Sequence, residues 1–237
     1  MWKASVAEHA PSERALRALL DASELERAAR FHLDVDRVRH SVSHGLLRRL
    51  AGHYLDRPPA TLRFDKGEYG KPHVAGEQEG GLVFNLSHSG DLVLIALSRG
   101  GSVGVDVECW TRGIDEQGLE RITESVFSAR ERAALRLLDP ALRRAAFFAV
   151  WSRKEAYIKA TGLGVSHGLD HFDVSAEHDE ARLLEDRSGV ADVGEWALYD
   201  LAPGPGYSGA LAIDDRNRTL VTLNVDATLL RDEDQAP

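Results

Sequence analysis

The chain has 237 residues, enough for one large domain or two small ones with a substantial core, and its 43% apolar and 28% charged content is that of a water-soluble globular fold. A net charge of -9 argues against an extended nucleic-acid surface. No apolar run approaches the ~18 residues of a membrane span, Glu8, His9, Glu13 and Arg14 interrupt any signal peptide, and the single Cys109 excludes an internal disulfide, so a cytoplasmic protein is expected.

Residues 1–57 hold 10 Lys and Arg against 8 Asp and Glu, leaving 19 against 30 for the remainder, so the basic excess is N-terminal and suits a local anion pocket. Helices are predicted over 12–20 and 23–31, with Ser12 and Ser23 as N-caps and Glu26 at capping-box spacing from Ser23. A longer helix is expected over 35–54, stopped by Asp56-Arg57-Pro58-Pro59. Arg27, Arg30, Arg37, Arg39, Arg48 and Arg49 form either a solvated basic face or a phosphate clamp.

A short strand is expected over 61–65 and a turn-rich loop over 66–72, where Lys71 is extended because Pro72 follows it. After a second loop, a strand over 82–86 leads into Ser87-His88-Ser89-Gly90-Asp91. That segment reads as a turn, able either to hold a phosphate or to close on its own Asx-type bonds. Residues 92–97 read as a buried strand that turns at Arg99-Gly100-Gly101 into a hairpin with 103–108.

In Ser102-Val103-Gly104-Val105-Asp106-Val107-Glu108 the valines alternate with Gly104 and two acids. A strand there buries the valines and shows both carboxylates on the other face, about 7 Å apart. Their repulsion is relieved either by solvent or by a hard divalent cation such as Mg2+, which bridges carboxylates to substrate phosphates. Cys109 lacks the basic neighbourhood of a nucleophilic thiolate and reads as structural.

The polar connection 111–118 divides the chain into halves 1–112 and 113–237. Helices follow over 119–125, 128–138 and 141–161, with Val126-Phe127 before Ser128-Ala129-Arg130-Glu131 forming a staple and capping box. Along the third helix Phe147, Val150, Trp151 and Ile158 share a buried face, with Phe148, Glu155 and Lys159 on its edge. Glu155 and Lys159 are either a surface pair or, with Glu155 as third acid, part of a cation site. Strands are predicted over 172–174, 195–201, 207–213 and 220–225, with 177–194 irregular and the tail after Leu230 disordered.

Gly104-Val105-Asp106-Val107-Glu108 followed by Trp151-Ser152-Arg153-Lys154-Glu155-Ala156-Tyr157-Ile158-Lys159 resembles the paired motifs of the 4'-phosphopantetheinyl transferases of surfactin-synthetase-activating type. Tyr69-Gly70-Lys71-Pro72, Phe84-Asn85-Leu86-Ser87-His88-Ser89 and Arg30-Phe31-His32 with Arg39 extend the likeness over residues 23–165. The resemblance implies an α+β monomer of two similar α/β subdomains related by a pseudo-twofold, with the active site in the cleft between them. It also implies transfer of the phosphopantetheine arm of coenzyme A onto a serine of an apo acyl, aryl or peptidyl carrier protein, releasing 3',5'-ADP. Asp106, Glu108 and Glu155 would then hold Mg2+, Glu155 would act as base directly or through a water, and Lys159 would neutralise a phosphate oxygen. Arg39, Lys71, Pro72, Ser87 and His88 would bind the 3'-phosphate and adenosine end, and Arg27 the pyrophosphate region.

Relatives often carry lysines in the helix before Phe31, where this chain has Glu24, which cannot bind phosphate, and Arg27. Glu131 is open to two roles, helix cap or neighbour of the metal. The stretch 111–127, with Leu119, Ile122 and Phe127, is read either as a carrier-docking surface or as core. Competing readings are a Mg2+-dependent hydrolase of coenzyme A or a related pyrophosphate, and a carrier- or coenzyme A-binding module without turnover.

Overall fold

The computed structural model describes residues 1–78, 80–111, 113–164, 168–176, 180–189 and 191–226. In chain order the elements are β1 (Trp2–Ser5), α1 (Val6–His9), α2 (Glu13–Arg17), α3 (Ala22–Ala29), α4 (Asp34–Leu55), β2 (Phe64–Lys66), β3 (Pro72–Val74), β4 (Leu82–Ser89), β5 (Leu92–Arg99) and β6 (Val103–Cys109). There follow α5 (Glu116–Val126), α6 (Ala129–Leu137), α7 (Pro140–Thr161), β7 (Phe172–Val174), β8 (Leu183–Asp186), β9 (Ala197–Leu201), β10 (Tyr207–Ile213) and β11 (Leu223–Asn224).

The fold is α+β, with two 22-residue helices each packed on a separate sheet. Helix α4 lies on the sheet ordered β11-β1-β5-β4, burying Val42, Leu46, Leu47 and Leu50 against Phe84, Val93 and Ile95. Helix α7 lies on β6-β10-β9, burying Phe147, Val150 and Ile158 together with Ala210 and Ala212. A third cluster joins the two sheets, because Val103, Val105 and Val107 of β6 pack with Leu94 and Ala96 of β5. The alternation read from the sequence therefore lies at the contact between the two sheets.

The ends of the two long helices follow local rules. Helix α7 starts on the Asp139 side chain with Pro140 at its first position and stops at Gly162, whose φ of 74° is left-handed. Helix α3 corrects the expected cap: Asp21, not Ser23, accepts from Glu24 N, and Glu24 returns a bond to Asp21 N in a complete capping box.

Three strand expectations change. The strand expected over 61–65 forms later, as β2, because residues 59–61 close a 3-10 turn. The segment 177–194 includes β8, which pairs with β7, so it is not irregular throughout. The hairpin expected between 92–97 and 103–108 is absent: β5 and β6 follow one another but belong to different sheets, and β6 pairs antiparallel with β10. Gly100 and Gly101, at φ 65° and 72°, turn the chain out of the first sheet. The predicted tail after Leu230 lies outside the described residues.

Candidate active site

Strand β6 and helix α7 meet backbone to backbone, and Gly104 allows it. A Cβ there would lie 2.0 Å from Ala156 O and 2.4 Å from Ala160 N. Ala156 and Ala160 supply the flat facing surface, and their neighbours Glu155 and Lys159 are delivered beside the acids of β6. Lys159 Nζ donates to Asp106 Oδ1 at 2.5 Å and to Ser87 Oγ at 3.1 Å, and Ser87 Oγ donates to Asp106 Oδ1 at 3.0 Å. Asp106 is 3% exposed, and its Oδ2 is buried without a hydrogen-bond partner.

Glu108 is held from two sides, Trp151 Nε1 donating to Oε1 at 3.3 Å and Ser89 Oγ to Oε2 at 3.2 Å. Burial pushes the Glu155 carboxyl above the ordinary range, and the charges of Asp106 and Glu108 add to this against Lys159. Burial would lower Lys159, but the charge and hydrogen bond of Asp106, with Glu155 and Glu108, outweigh it and hold the ammonium above its ordinary value. Three acids against one lysine leave this spot electronegative. Among the described residues no group of three His, Cys, Asp or Glu side chains is set to hold a metal ion as it stands, one Asp106 oxygen being taken by Lys159. The donor set is nevertheless hard oxygen throughout, and the orphaned Asp106 Oδ2 is the kind of atom that a divalent cation satisfies.

The segment Ser87-His88-Ser89 is not a turn. It completes β4, so its side chains alternate: Ser87 and Ser89 face β6 and His88 faces away. Asn85 Oδ1, Ser87 Oγ and Ser89 Oγ accept from the N–H groups of Val105, Val107 and Cys109 at 2.9, 3.3 and 3.0 Å. Side chains thus replace a main-chain ladder between β4 and β6, which explains why an apparently turn-like polar run sits inside a strand.

His88 lies among cations. Burial, then Arg39 and His44, push its pKa down to about 4, which leaves a neutral imidazole in an anion-attracting setting. Arg39 is anchored there by Gly90 O at 2.9 Å and Asp36 Oδ1 at 2.5 Å. Arg27 and Pro72 instead line a separate cleft of about 690 Å³ with Arg30, Phe31, His44 and Lys66. Lys71 joins neither group: its Nζ donates to Val103 O at 3.1 Å and Ala160 O at 2.7 Å, tying the start of β6 to the end of α7, and burial lowers its pKa to about 8.

The basic face along α3 and α4 is only partly exposed. Arg48 is fully buried and donates to Glu24, Asp21, Pro59 O and Leu62 O, so it is no part of a phosphate clamp. Glu24 is occupied by that network and by His44. Glu131, 1% exposed, caps α6 through Ser128 N and accepts from Lys154 Nζ at 2.6 Å and Val174 N at 2.9 Å. Phe127 is fully buried in the core around α7, as is most of Leu119. The amphipathic reading of α7 missed Arg153 and Lys154, both fully buried, Arg153 donating to Asp200 and to Ser175 O at 2.6 Å. A helix packed on both sides hides its basic residues in paired networks, which periodicity alone does not reveal.

The chain belongs to the 4'-phosphopantetheinyl transferase superfamily: residues 102–211 match that family, and residues 1–99 match the 4'-phosphopantetheinyl transferase N-terminal family. It is 33% identical over 215 residues to the 4'-phosphopantetheinyl transferase HetI of Nostoc sp., covering 90% of this chain and 86% of that one. It is 30% identical over 162 residues to the 4'-phosphopantetheinyl transferase Sfp of Bacillus subtilis (strain 168), covering 68% and 69%. A holo-(acyl-carrier-protein) synthase from Bacillus anthracis str. Ames, solved in complex with CoA (3',5'-ADP), aligns with a TM-score of 0.38 at 20% identity over 47% of this chain and 93% of its own.

Proposed function

We infer that this chain transfers the phosphopantetheine arm of coenzyme A to a serine of an apo carrier protein and releases 3',5'-ADP. Family membership supports the activity, and the meeting of Asp106, Glu155 and Lys159 at the contact of β6 with α7 is the observation that carries the mechanism. In that reaction the serine Oγ forms a bond to the phosphorus on the pantetheine side of the diphosphate, and the bond from that phosphorus to the 5'-phosphate oxygen of 3',5'-ADP breaks.

Asp106, Glu108 and Glu155 would hold Mg2+, which when bound neutralises the diphosphate during transfer. Glu155, set beside Asp106 and Lys159, takes the proton of the serine hydroxyl directly or through a water. Lys159 offers its ammonium to a diphosphate oxygen while keeping its bond to Asp106. Arg39 and neutral His88 form a seat for the 3'-phosphate, and from the cleft that Arg27 and Pro72 line, Arg27 would take the pyrophosphate region and Pro72 the adenosine end. Ser87 and Lys71 serve the same end indirectly, through Asp106 and through the β6–α7 junction. We assign residues 1–112 and 113–237 as the two halves of a cytoplasmic monomer acting on acyl, aryl or peptidyl carriers. Among the described residues no helix is long and apolar enough to cross a membrane.

The test is incubation of the protein with coenzyme A, Mg2+ and an apo carrier protein, followed by the intact mass of the carrier. A phosphopantetheine mass gain is expected. Formation of 3',5'-ADP with an unmodified carrier would overturn the reading.

A further inference from the structure

The seam between β4 and β6 has three rungs, and they are chemically unequal. Asn85 Oδ1 only accepts, from Val105 N, whereas Ser89 Oγ accepts from Cys109 N at 3.0 Å and donates to Glu108 Oε2 at 3.2 Å. A serine hydroxyl has one proton and a small acceptor capacity, so this one, 2% exposed, has its rotor fixed by two partners. Trp151 Nε1 holds the other carboxylate oxygen. Glu108 is thereby gripped at both oxygens by groups on different elements, Ser89 from β4 and Trp151 from α7.

We propose that Ser89 is a positioning residue which, with Trp151, fixes the Glu108 carboxylate for a divalent cation; this rests on the transferase reading above. A carboxylate that is already oriented gives up little rotamer freedom when a cation arrives, and hydrogen-bond partners behind metal ligands commonly set affinity by about 10–100-fold. Asn85 provides the internal comparison. It supports the same seam by the same kind of bond, made to Val105 N and not to a carboxylate.

The probe is Mn2+ alone, its binding to the full chain followed by electron paramagnetic resonance without coenzyme A or carrier, and thermal unfolding is recorded in parallel. Ser89→Ala is expected to weaken Mn2+ binding about 10-fold, whereas Asn85→Ala lowers the unfolding temperature and leaves Mn2+ affinity within about twofold of wild type. Equal Mn2+ affinity in wild type and Ser89→Ala would overturn the proposal. So would an equal weakening in Asn85→Ala, since the seam would then act through stability alone. Failure of the wild-type chain to bind Mn2+ at all is a separate outcome, and it would sink the cation assignment on which the proposal stands.

Discussion

Gly104→Ala adds one methyl group where strand and helix backbones touch. The new carbon would lie 2.0 Å from Ala156 O, 2.4 Å from Ala160 N and 2.9 Å from Ala160 Cα, and relaxing the first contact to an ordinary 3.4 Å moves α7 away by about 1.4 Å. All three are backbone atoms, so no rotamer change absorbs the clash. Overpacking in a core costs about 1–3 kcal/mol, and a clash with helix backbone belongs at the upper end, about 3 kcal/mol. The same shift carries Glu155 and Lys159 away from Asp106, and a misplacement of about 1 Å at a reacting centre costs ~100-fold in rate. Urea unfolding and the carrier mass assay read both effects on one preparation. A variant with the wild-type midpoint and wild-type turnover would refute the claim that this glycine sets the spacing of helix and strand.

Glu155→Gln should slow transfer by about 100-fold or more with an unchanged fold by circular dichroism, since it removes the proposed base while relieving repulsion with Asp106; near-normal transfer would remove Glu155 from the chemistry. Glu131→Ala leaves Lys154 buried without its carboxylate and should cost about 3–5 kcal/mol in denaturant unfolding, a loss that an unaltered midpoint would contradict. His40 and His88 are both held near 4 in the fold, mainly by burial, against an ordinary value of 6.5. Below pH 6.5 the unfolded chain therefore binds more protons, so the stability contributed by each is complete above pH 6.5 and declines toward pH 4 at up to about 1.4 kcal/mol per pH unit. A stability profile flat between pH 6.5 and 4.5 would show that these imidazoles are not shielded from water.

What the sequence disclosed divides by the range of the interaction. The two long helices were legible from the Asp56-Arg57-Pro58-Pro59 stop and the glycine at 162, because those signals act within a turn or two. The valine alternation disclosed β6 and the shared side of Asp106 and Glu108. It could not disclose which strand pairs with β6, because Val103, Val105 and Val107 suit a hairpin and a sheet-to-sheet contact equally well. Ser87 and Ser89 read as turn residues because small hydroxyls favour turns, whereas here they satisfy β6 N–H groups that have no carbonyl to meet. Lys71 was read as a phosphate ligand, and the burial of Arg153 and Lys154 went unread, for a similar reason: their partners are carbonyls and carboxylates far away in sequence. Of the candidate site, the acids and Lys159 came through as motifs, whereas the scaffolding around them is made of contacts between residues far apart in sequence.

The antiparallel pairing of β6 with β10 has a consequence for how the molecule is made. Ser208 sits opposite Glu108 and Ala210 opposite Asp106, so the acidic strand finds its main-chain neighbour only after roughly another hundred residues have been synthesised. Strand β1 waits longer still for β11. An N-terminal fragment leaving the ribosome would carry both β6 carboxylates with their β4 serines yet lack α7 and β10, so the site is complete only after β10 has been made.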